Sequence, residues 1–124
     1  MKELISYNDS LMLRELGFDE ACFAWYSKGQ LILEHHIIFT GDQYYMRKED
    51  CNAPTFSQAF RFFREKHSLH SNIKCVNTTS NNHFRFEIEL NGETLACTNR
   101  IDSYEKAELA CLQKMIELVK NKSV

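Results

Sequence analysis

The first forty residues combine a short helical pattern with two runs typical of strands. Ser6 and Asp9 have the spacing of a helix start, leucines at positions 11, 13 and 16 supply an apolar side, and Gly17 follows. Since glycine readily adopts the left-handed conformation that ends many helices, a helix is predicted over about residues 7–16. Two runs rich in aromatic and branched side chains then flank Ser27-Lys28-Gly29, which predicts a hairpin with strands near 21–26 and 31–39.

A second helix has the clearest start in the chain, after a polar connection over residues 41–53. Pro54 precedes Thr55 as N-cap, and Gln58 lies at the reciprocal position of a capping box. Four apolar side chains at helical spacing predict its buried face: Phe56, Ala59, Phe60 and Phe63. Three basic side chains occupy its other sides: Arg61, Arg64 and Lys66.

The second half of the chain has the alternation of an antiparallel sheet. Residues 72–77, 84–90 and 94–99 predict three strands. In the middle strand, apolar side chains at even positions alternate with Arg85, Glu87 and Glu89, so one face is buried and the other is hydrated. Asn91-Gly92 is a strong hairpin signal and predicts a tight turn before the third strand.

A last helix is predicted to begin at Asp102 or Ser103, where Asp102 and Glu105 would form a variant of the capping box. A wide apolar stripe follows at helical spacing: Ala107, Ala110, Cys111, Leu112, Met115, Ile116 and Val119. The small residues of this stripe allow the helix to lie close to the sheet.

These elements together predict an α+β fold. It consists of an antiparallel three-stranded sheet with two helices on one face, preceded by an N-terminal helix and a β-hairpin. A chain of 124 residues suffices for one core of ordinary size. We therefore expect a single domain, in which a helix-plus-hairpin unit over residues 1–53 packs on an α-β-β-β-α core over residues 54–124.

Composition limits the environment and the partners. The formal net charge of −2 gives no general attraction to nucleic acid or to an anionic membrane. The five cysteines are odd in number and widely spaced, and the polar, charged start lacks a secretory pattern, which favours free thiols in a reducing cytoplasm. Because no apolar run reaches the length of a membrane span, we expect a soluble, cytoplasmic protein.

The second half resembles the double-stranded-RNA-binding domain. The run FRFEIELNG over residues 84–92 is similar to that family's central strand and turn. The last helix also has a serine and small residues at matching positions: Ser103, Ala107, Ala110 and Cys111. The resemblance implies an α-β-β-β-α fold with both helices on one face of the sheet.

The same resemblance fails where that family contacts RNA. Its members bind phosphates through lysines at the start of the last helix, whereas Tyr104, Glu105 and Glu108 stand at those positions here, with only Lys106 nearby. Duplex RNA is held mainly through phosphate and 2′-hydroxyl contacts, so carboxylates at this place would repel it.

A second resemblance covers nearly the whole chain. Residues 16–20, 53–66 and 104–112 are similar to segments of a family of small uncharacterised proteins from gut Bacteroidetes and their phages or prophages. The resemblance implies a phage-associated accessory protein and supplies no activity.

No pattern singles out a catalytic, cofactor or metal site. No CxxC pair occurs, no local signature selects a Cys–His nucleophile pair, and the four glycines have the setting of turns or caps. His67 and His70 are three residues apart and would suit a metal if the second helix continued, although a helix C-terminus also favours an imidazolium by itself. We expect no enzyme activity, no cofactor and no identifiable small-molecule substrate.

The best candidate for a binding surface is the basic side of the second helix, formed by Arg61, Phe62, Arg64, Lys66 and His67. Phe62 is harder to bury than its neighbours, and an exposed aromatic beside arginines is typical of an interface anchor. The alternative is a hydrated helix face with Phe62 packed under the N-terminal hairpin. We expect a small protein-binding or regulatory module that binds a protein partner or itself; the alternative is a nucleic-acid-binding module that uses this helix.

Overall fold

The computed structural model describes residues 3–33, 48–77 and 82–121 and confirms the predicted α+β class. The described residues form three helices and two antiparallel three-stranded sheets. The chain divides into two compact units, Met1–Ala59 and Phe60–Val124, and the division falls inside the second helix. The sequence pattern predicted one three-stranded sheet and a separate two-stranded hairpin. The structure differs because a third strand joins the hairpin and makes a second sheet.

In the first unit, α1 spans Tyr7–Glu15 as predicted. Ser6 caps it, because its side-chain oxygen accepts a hydrogen bond from the Asp9 N–H over 3.4 Å. Gly17 follows the helix with a φ of +102°, a conformation in which a side chain would be strained. The local chemistry at both ends therefore fixes this helix.

The predicted hairpin is present as β1 (Ala24–Ser27) and β2 (Gln30–Leu33). Lys28 and Gly29 both have positive φ and form the two-residue turn between these strands. Positions 34–39 of the predicted second strand lie outside the described residues.

A further strand, β3 (Cys51–Ala53), falls where the sequence pattern predicted only a polar connection. It pairs antiparallel with β1, so the sheet order is β2-β1-β3. Its three residues are all buried, and Cys51 and Ala53 belong to the core of the first unit. This core consists of Ala24, Tyr26, Cys51 and Ala53 with Leu4, Tyr7 and Leu11 packed against it. The Tyr26 hydroxyl donates to the carbonyl of Ile5 over 2.7 Å, which satisfies the polar end of a buried ring.

Helix α2 spans Phe56–His67 and begins with the predicted capping box. The Gln58 N–H donates to Thr55 Oγ1 over 3.1 Å, and the Thr55 N–H donates to Gln58 Oε1 over 3.0 Å. The Gln58 side-chain amide also donates to the Ala21 carbonyl over 2.9 Å. The start of α2 is therefore fixed by its own capping box and by a hydrogen bond to the segment before β1.

The second unit contains the three predicted strands, β4 (Leu69–Asn77), β5 (Asn82–Leu90) and β6 (Glu93–Cys97), in the order β4-β5-β6. Asn91 and Gly92 both have positive φ and form the predicted turn. The register passes from Ile88↔Ala96 to Glu89↔Thr94, so Leu95 is the additional residue of a β-bulge.

Helix α3 spans Tyr104–Lys120 and packs against β4 and β5. Its N-cap is Ser103, whose side chain accepts the Lys106 N–H over 3.2 Å. The predicted pairing of Asp102 with Glu105 is therefore wrong, because Asp102 lies one residue before the cap and instead forms an ion pair of 3.7 Å with Lys106. The predicted apolar stripe is buried at Ala107, Cys111, Leu112, Met115 and Ile116, as are Phe86 and Ile88 on β5.

Candidate functional site

Helix α2 places the predicted binding residues in three different settings. Arg61, Arg64 and Lys66 are exposed, Phe62 is buried, and His67 is half-buried. The exposure predicted for the basic side chains is confirmed. The five residues do not form one continuous surface.

The sequence left Phe62 either exposed or packed, and the structure shows that it is buried, since only 3% of this residue is accessible to solvent. Its ring packs edge to face against Phe63 at 5.3 Å and against His67 at 5.2 Å. The fully buried positions of α2 are Ala59, Phe62 and Phe63, whereas Phe56 and Phe60 are half-buried. The buried face is thus rotated toward Phe62, because spacings of three and four residues from Ala59 define it.

The two exposed arginines share one side of the helix, whereas the lysine does not. Arg61 and Arg64 are three residues apart, which places them on neighbouring turns of the same side. Lys66 follows Arg61 by five residues, roughly 140° around the helix. We call Arg61 and Arg64 the basic face. Their guanidinium groups can each bind a carboxylate or a phosphate through two parallel hydrogen bonds.

The two histidines at the end of α2 do not share a helix. α2 ends at His67, Ser68 adopts a left-handed conformation with φ of +56°, and His70 lies on β4 opposite Glu89. His67 and His70 are therefore not on successive turns of one helix, the arrangement that would have suited a metal. Nε2 of His67 is buried beside the Phe62 and Phe63 rings and has no hydrogen-bond partner. Across residues 3–33, 48–77 and 82–121, no group of three or more His, Cys, Asp or Glu side chains is arranged to hold a metal ion.

The five cysteines are all free and fall into two classes. Burial raises the pKa of the Cys22, Cys51 and Cys111 thiols to about 12, so these three remain protonated at neutral pH. A protonated thiol is a poor nucleophile. Cys75 and Cys97 are exposed, but they pair with Phe84 and Glu87 on β5. Since those partners are three residues apart on one strand, the two exposed thiols lie on opposite faces of the sheet.

Two large apolar side chains near the start of α3 are exposed, and the sequence pattern did not predict their exposure. Tyr104 is 46% exposed and Leu109 is 39% exposed, although both are large and apolar. The Tyr104 ring packs edge to face on Phe84, with 6.0 Å between ring centroids. Glu105 is exposed between them in sequence and lies one turn before Leu109. Tyr104 and Leu109 are five residues apart, roughly 140° around the helix, so they do not form one surface.

The start of α3 carries charges of both signs. Burial, reinforced by the carboxylate of Glu108, raises the pKa of Tyr104, so its hydroxyl stays protonated. Asp102, which precedes the helix, is also exposed and forms an ion pair of 3.7 Å with exposed Lys106.

None of the helices in the described part of the chain combines the length and the apolar character needed to cross a bilayer. No protein-family model, curated protein or solved structure matches the chain. Its function is therefore inferred from its own surfaces.

Proposed function

We propose that this protein is a small binding module that recognises an acidic protein surface through the basic face of α2. The observation that carries the proposal is the exposure of Arg61 and Arg64 on a helix whose opposite side is buried through Phe62 and Phe63. A helix fixed in this way presents its arginines from a rigid backbone, which reduces the entropy lost on binding. Arginine is also among the residues most enriched in energetically dominant interface positions.

The proposal includes a specific arrangement of the second half. The element order from α2 to α3 is α-β-β-β-α, and α3 packs against the two strands β4 and β5. We infer that α2 shares the same face of the sheet, as in the double-stranded-RNA-binding domain. Burial of Phe63 and Leu112 on the two helices, and of Ile88 on β5, supports a common interior. In that arrangement the basic face points away from the sheet.

The cellular location and the phage association are also part of the proposal. We place the protein in the cytoplasm of a bacterium as a phage- or prophage-associated accessory protein without enzyme activity. The five free cysteines support a reducing compartment, in which thiols persist. The protonated state of the three buried thiols is consistent with a structural role for Cys22, Cys51 and Cys111.

Charge reversal on the basic face tests the proposal. The immobilised full chain and its Arg61→Glu/Arg64→Glu variant are compared for proteins captured from the native host, quantified by mass spectrometry. We expect recovery of the specific partner to fall at least about tenfold, because like charges at an interface cost several kcal/mol.

The matched control is Lys28→Glu/Lys48→Glu, which makes the same change in net charge at two exposed residues of the first unit. It should retain the partner. Equal recovery by the wild type and the Arg61→Glu/Arg64→Glu variant would remove the basic face from the proposal.

A nucleic-acid-binding module is the second candidate, because the α-β-β-β-α order and two exposed arginines also suit a phosphate backbone. The exposed carboxylate of Glu105 at the start of α3 weighs against it. Fluorescence anisotropy with duplex RNA and with single-stranded DNA tests this candidate. Binding should fall steeply between about 50 and 200 mM salt if phosphates are contacted, and no binding at the lower concentration ends it.

A further inference from the structure

We infer that Glu65 determines the specificity of the basic face: it selects a protein partner that carries charges of both signs, and it excludes nucleic acid. The partner surface supplies carboxylates to Arg61 and Arg64 and a lysine or arginine to Glu65. This inference rests on the proposed function, because it describes the partner of the same face.

The position of Glu65 on α2 is the first reason. Glu65 follows Arg61 by four residues, Arg64 follows it by three, and all three side chains are exposed. Successive residues turn by about 100° around a helix, so Arg61 lies between Arg64 and Glu65 on the helix surface. Side chains at these spacings have Cβ atoms roughly 5 to 6 Å apart. A ligand that covers Arg61 therefore meets a cation on one side and a carboxylate on the other.

Helix stability does not account for a carboxylate at this position. Glu65 lies in the last turn of α2, which ends at His67, and the negative end of the helix dipole disfavours an acidic side chain there. An arginine that precedes a glutamate by four residues is also the less favourable order for an ion pair along a helix. Departures from local rules of this kind are expected at functional sites. A role in binding explains Glu65 where a role in the helix does not.

The third reason is the different charge pattern of nucleic acids and proteins. A duplex carries one negative charge per roughly 1.7 Å of its axis. A backbone held by Arg61 and Arg64 therefore places further phosphates near Glu65, within the Debye length of about 10 Å at 0.1 M salt. The charges of a protein surface are discrete, so a lysine or arginine can stand beside the carboxylates and pair with Glu65. Repulsion of one class of ligand and attraction of the other both contribute to specificity.

Charge reversal at Glu65 tests the exclusion of nucleic acid. Fluorescence anisotropy at about 50 mM salt compares the full chain with its Glu65→Gln and Glu65→Lys variants on a labelled RNA duplex and a labelled single-stranded DNA. Glu65→Lys should bind both at least about tenfold more tightly than the wild type, because a charge that repels phosphate becomes one that attracts it. Glu65→Gln should lie between the two.

Two controls assign the gain to this face. Glu15→Lys makes the same change of charge at an exposed glutamate that also lies at the end of a helix, α1, and it should bind as the wild type does. Adding Arg61→Glu and Arg64→Glu to Glu65→Lys should abolish the gain, because the phosphates then lose both guanidinium groups.

The host protein recovered through the basic face tests the pairing of Glu65 with a cation. Glu65→Lys should reduce its recovery at least about fivefold, because like charges then meet at the interface. Glu15→Lys should retain it.

The failures are distinguishable. Nucleic-acid binding by the wild type as tight as that of Glu65→Lys, no binding by either, or an equal gain in Glu15→Lys would each overturn the role of Glu65. If Arg61→Glu/Arg64→Glu recovers the same host proteins as the wild type, the proposed function fails, and the anisotropy measurements still decide whether Glu65 excludes nucleic acid. If that variant loses the partner while Glu65→Lys retains it, the proposed function stands and Glu65 is rejected as a determinant of the partner.

Discussion

Asp50 and Lys28 are joined across the first sheet by a hydrogen bond of 3.0 Å, in which the Lys28 N–H donates to Asp50 Oδ1. Lys28 is the first residue of the β1–β2 turn and has a positive φ, and Asp50 immediately precedes β3. Only 3% of Asp50 is exposed. The carboxylate thus holds the turn of one hairpin to the strand that completes the sheet, and Arg14 reinforces the junction by donating to the Asp50 carbonyl over 2.7 Å.

Replacing Asp50 tests the strength of this junction. Asp50→Ala should lower the free energy of unfolding by about 1 to 3 kcal/mol, because the Lys28 N–H loses its acceptor inside a largely buried site. Asp50→Asn keeps an acceptor oxygen and should lose less. Urea denaturation followed by circular dichroism measures both variants. Equal losses for the two would show that the charge, and not the hydrogen bond to Lys28, is the stabilising element.

A pair of leucines on α3 tests the assignment of its two sides. Leu112 has no exposed surface, whereas Leu109 is 39% exposed. Leu112→Ala should lower the free energy of unfolding by roughly 2 to 5 kcal/mol through lost burial and the resulting cavity. Leu109→Ala should cost less than about 1 kcal/mol. Similar losses for both would contradict the helix orientation.

The two classes of cysteine should react at different rates. Cys75 and Cys97 are exposed, whereas Cys22, Cys51 and Cys111 are buried. At neutral pH a disulfide reagent such as DTNB should modify two thiols rapidly in the folded chain and all five in denaturant, because reaction requires an accessible thiolate. Mass spectrometry of the labelled peptides identifies the sites. Rapid labelling of Cys111 would contradict its place in the core.

Burial of Cys111 also predicts a specific pH dependence. Burial raises the pKa of this thiol from 9.0 to about 12, so the folded chain holds the proton more tightly than the unfolded chain does. Its contribution to stability is therefore fully present below about pH 9 and decreases as the pH rises toward 12, by at most about 1.4 kcal/mol per pH unit. The stability difference between the wild type and Cys111→Ala should shrink over this range. A constant difference would indicate that the thiol is not desolvated.

Local chemistry explains why several elements could be predicted from the sequence. The Ser6 cap, the Thr55 and Gln58 capping box, and the Asn91-Gly92 turn each depend on side chains within three residues of one another. The middle strand β5 was predictable because one of its faces is buried and the other is not. Such signals are complete within a short window of sequence.

The features that the sequence pattern missed depend on distant partners. β3 has three residues and no readable period, and it is a strand because it pairs with β1. Phe62 and Phe60 are equally apolar, so the sequence could not decide which of them the core would bury. Because the core buries Phe62, this residue is not an exposed aromatic anchor, and the candidate site depends on the exposed arginines. The exposure of Tyr104 and Leu109 was missed because it is a property of the packed structure.

The junction between α2 and β4 gives a last prediction. One residue, Ser68, separates the end of α2 at His67 from the start of β4 at Leu69, and its φ is +56°. The left-handed conformation costs a residue with a side chain roughly 1 to 2 kcal/mol and costs glycine little. Glycine also gains entropy in the unfolded chain, which offsets part of this relief.

Ser68→Gly should therefore raise the free energy of unfolding by up to about 1 kcal/mol, as measured by urea denaturation. Ser68→Val should lower it, because a branched side chain tolerates positive φ least. Exposed Ser57 on the first turn of α2 provides the control, since a glycine placed in a helix lowers stability by roughly 0.5 to 1 kcal/mol. Destabilisation by glycine at both positions would mean that the chain does not turn at Ser68 through a left-handed residue. Opposite signs at the two positions would support a left-handed residue at position 68 that ends α2 at His67.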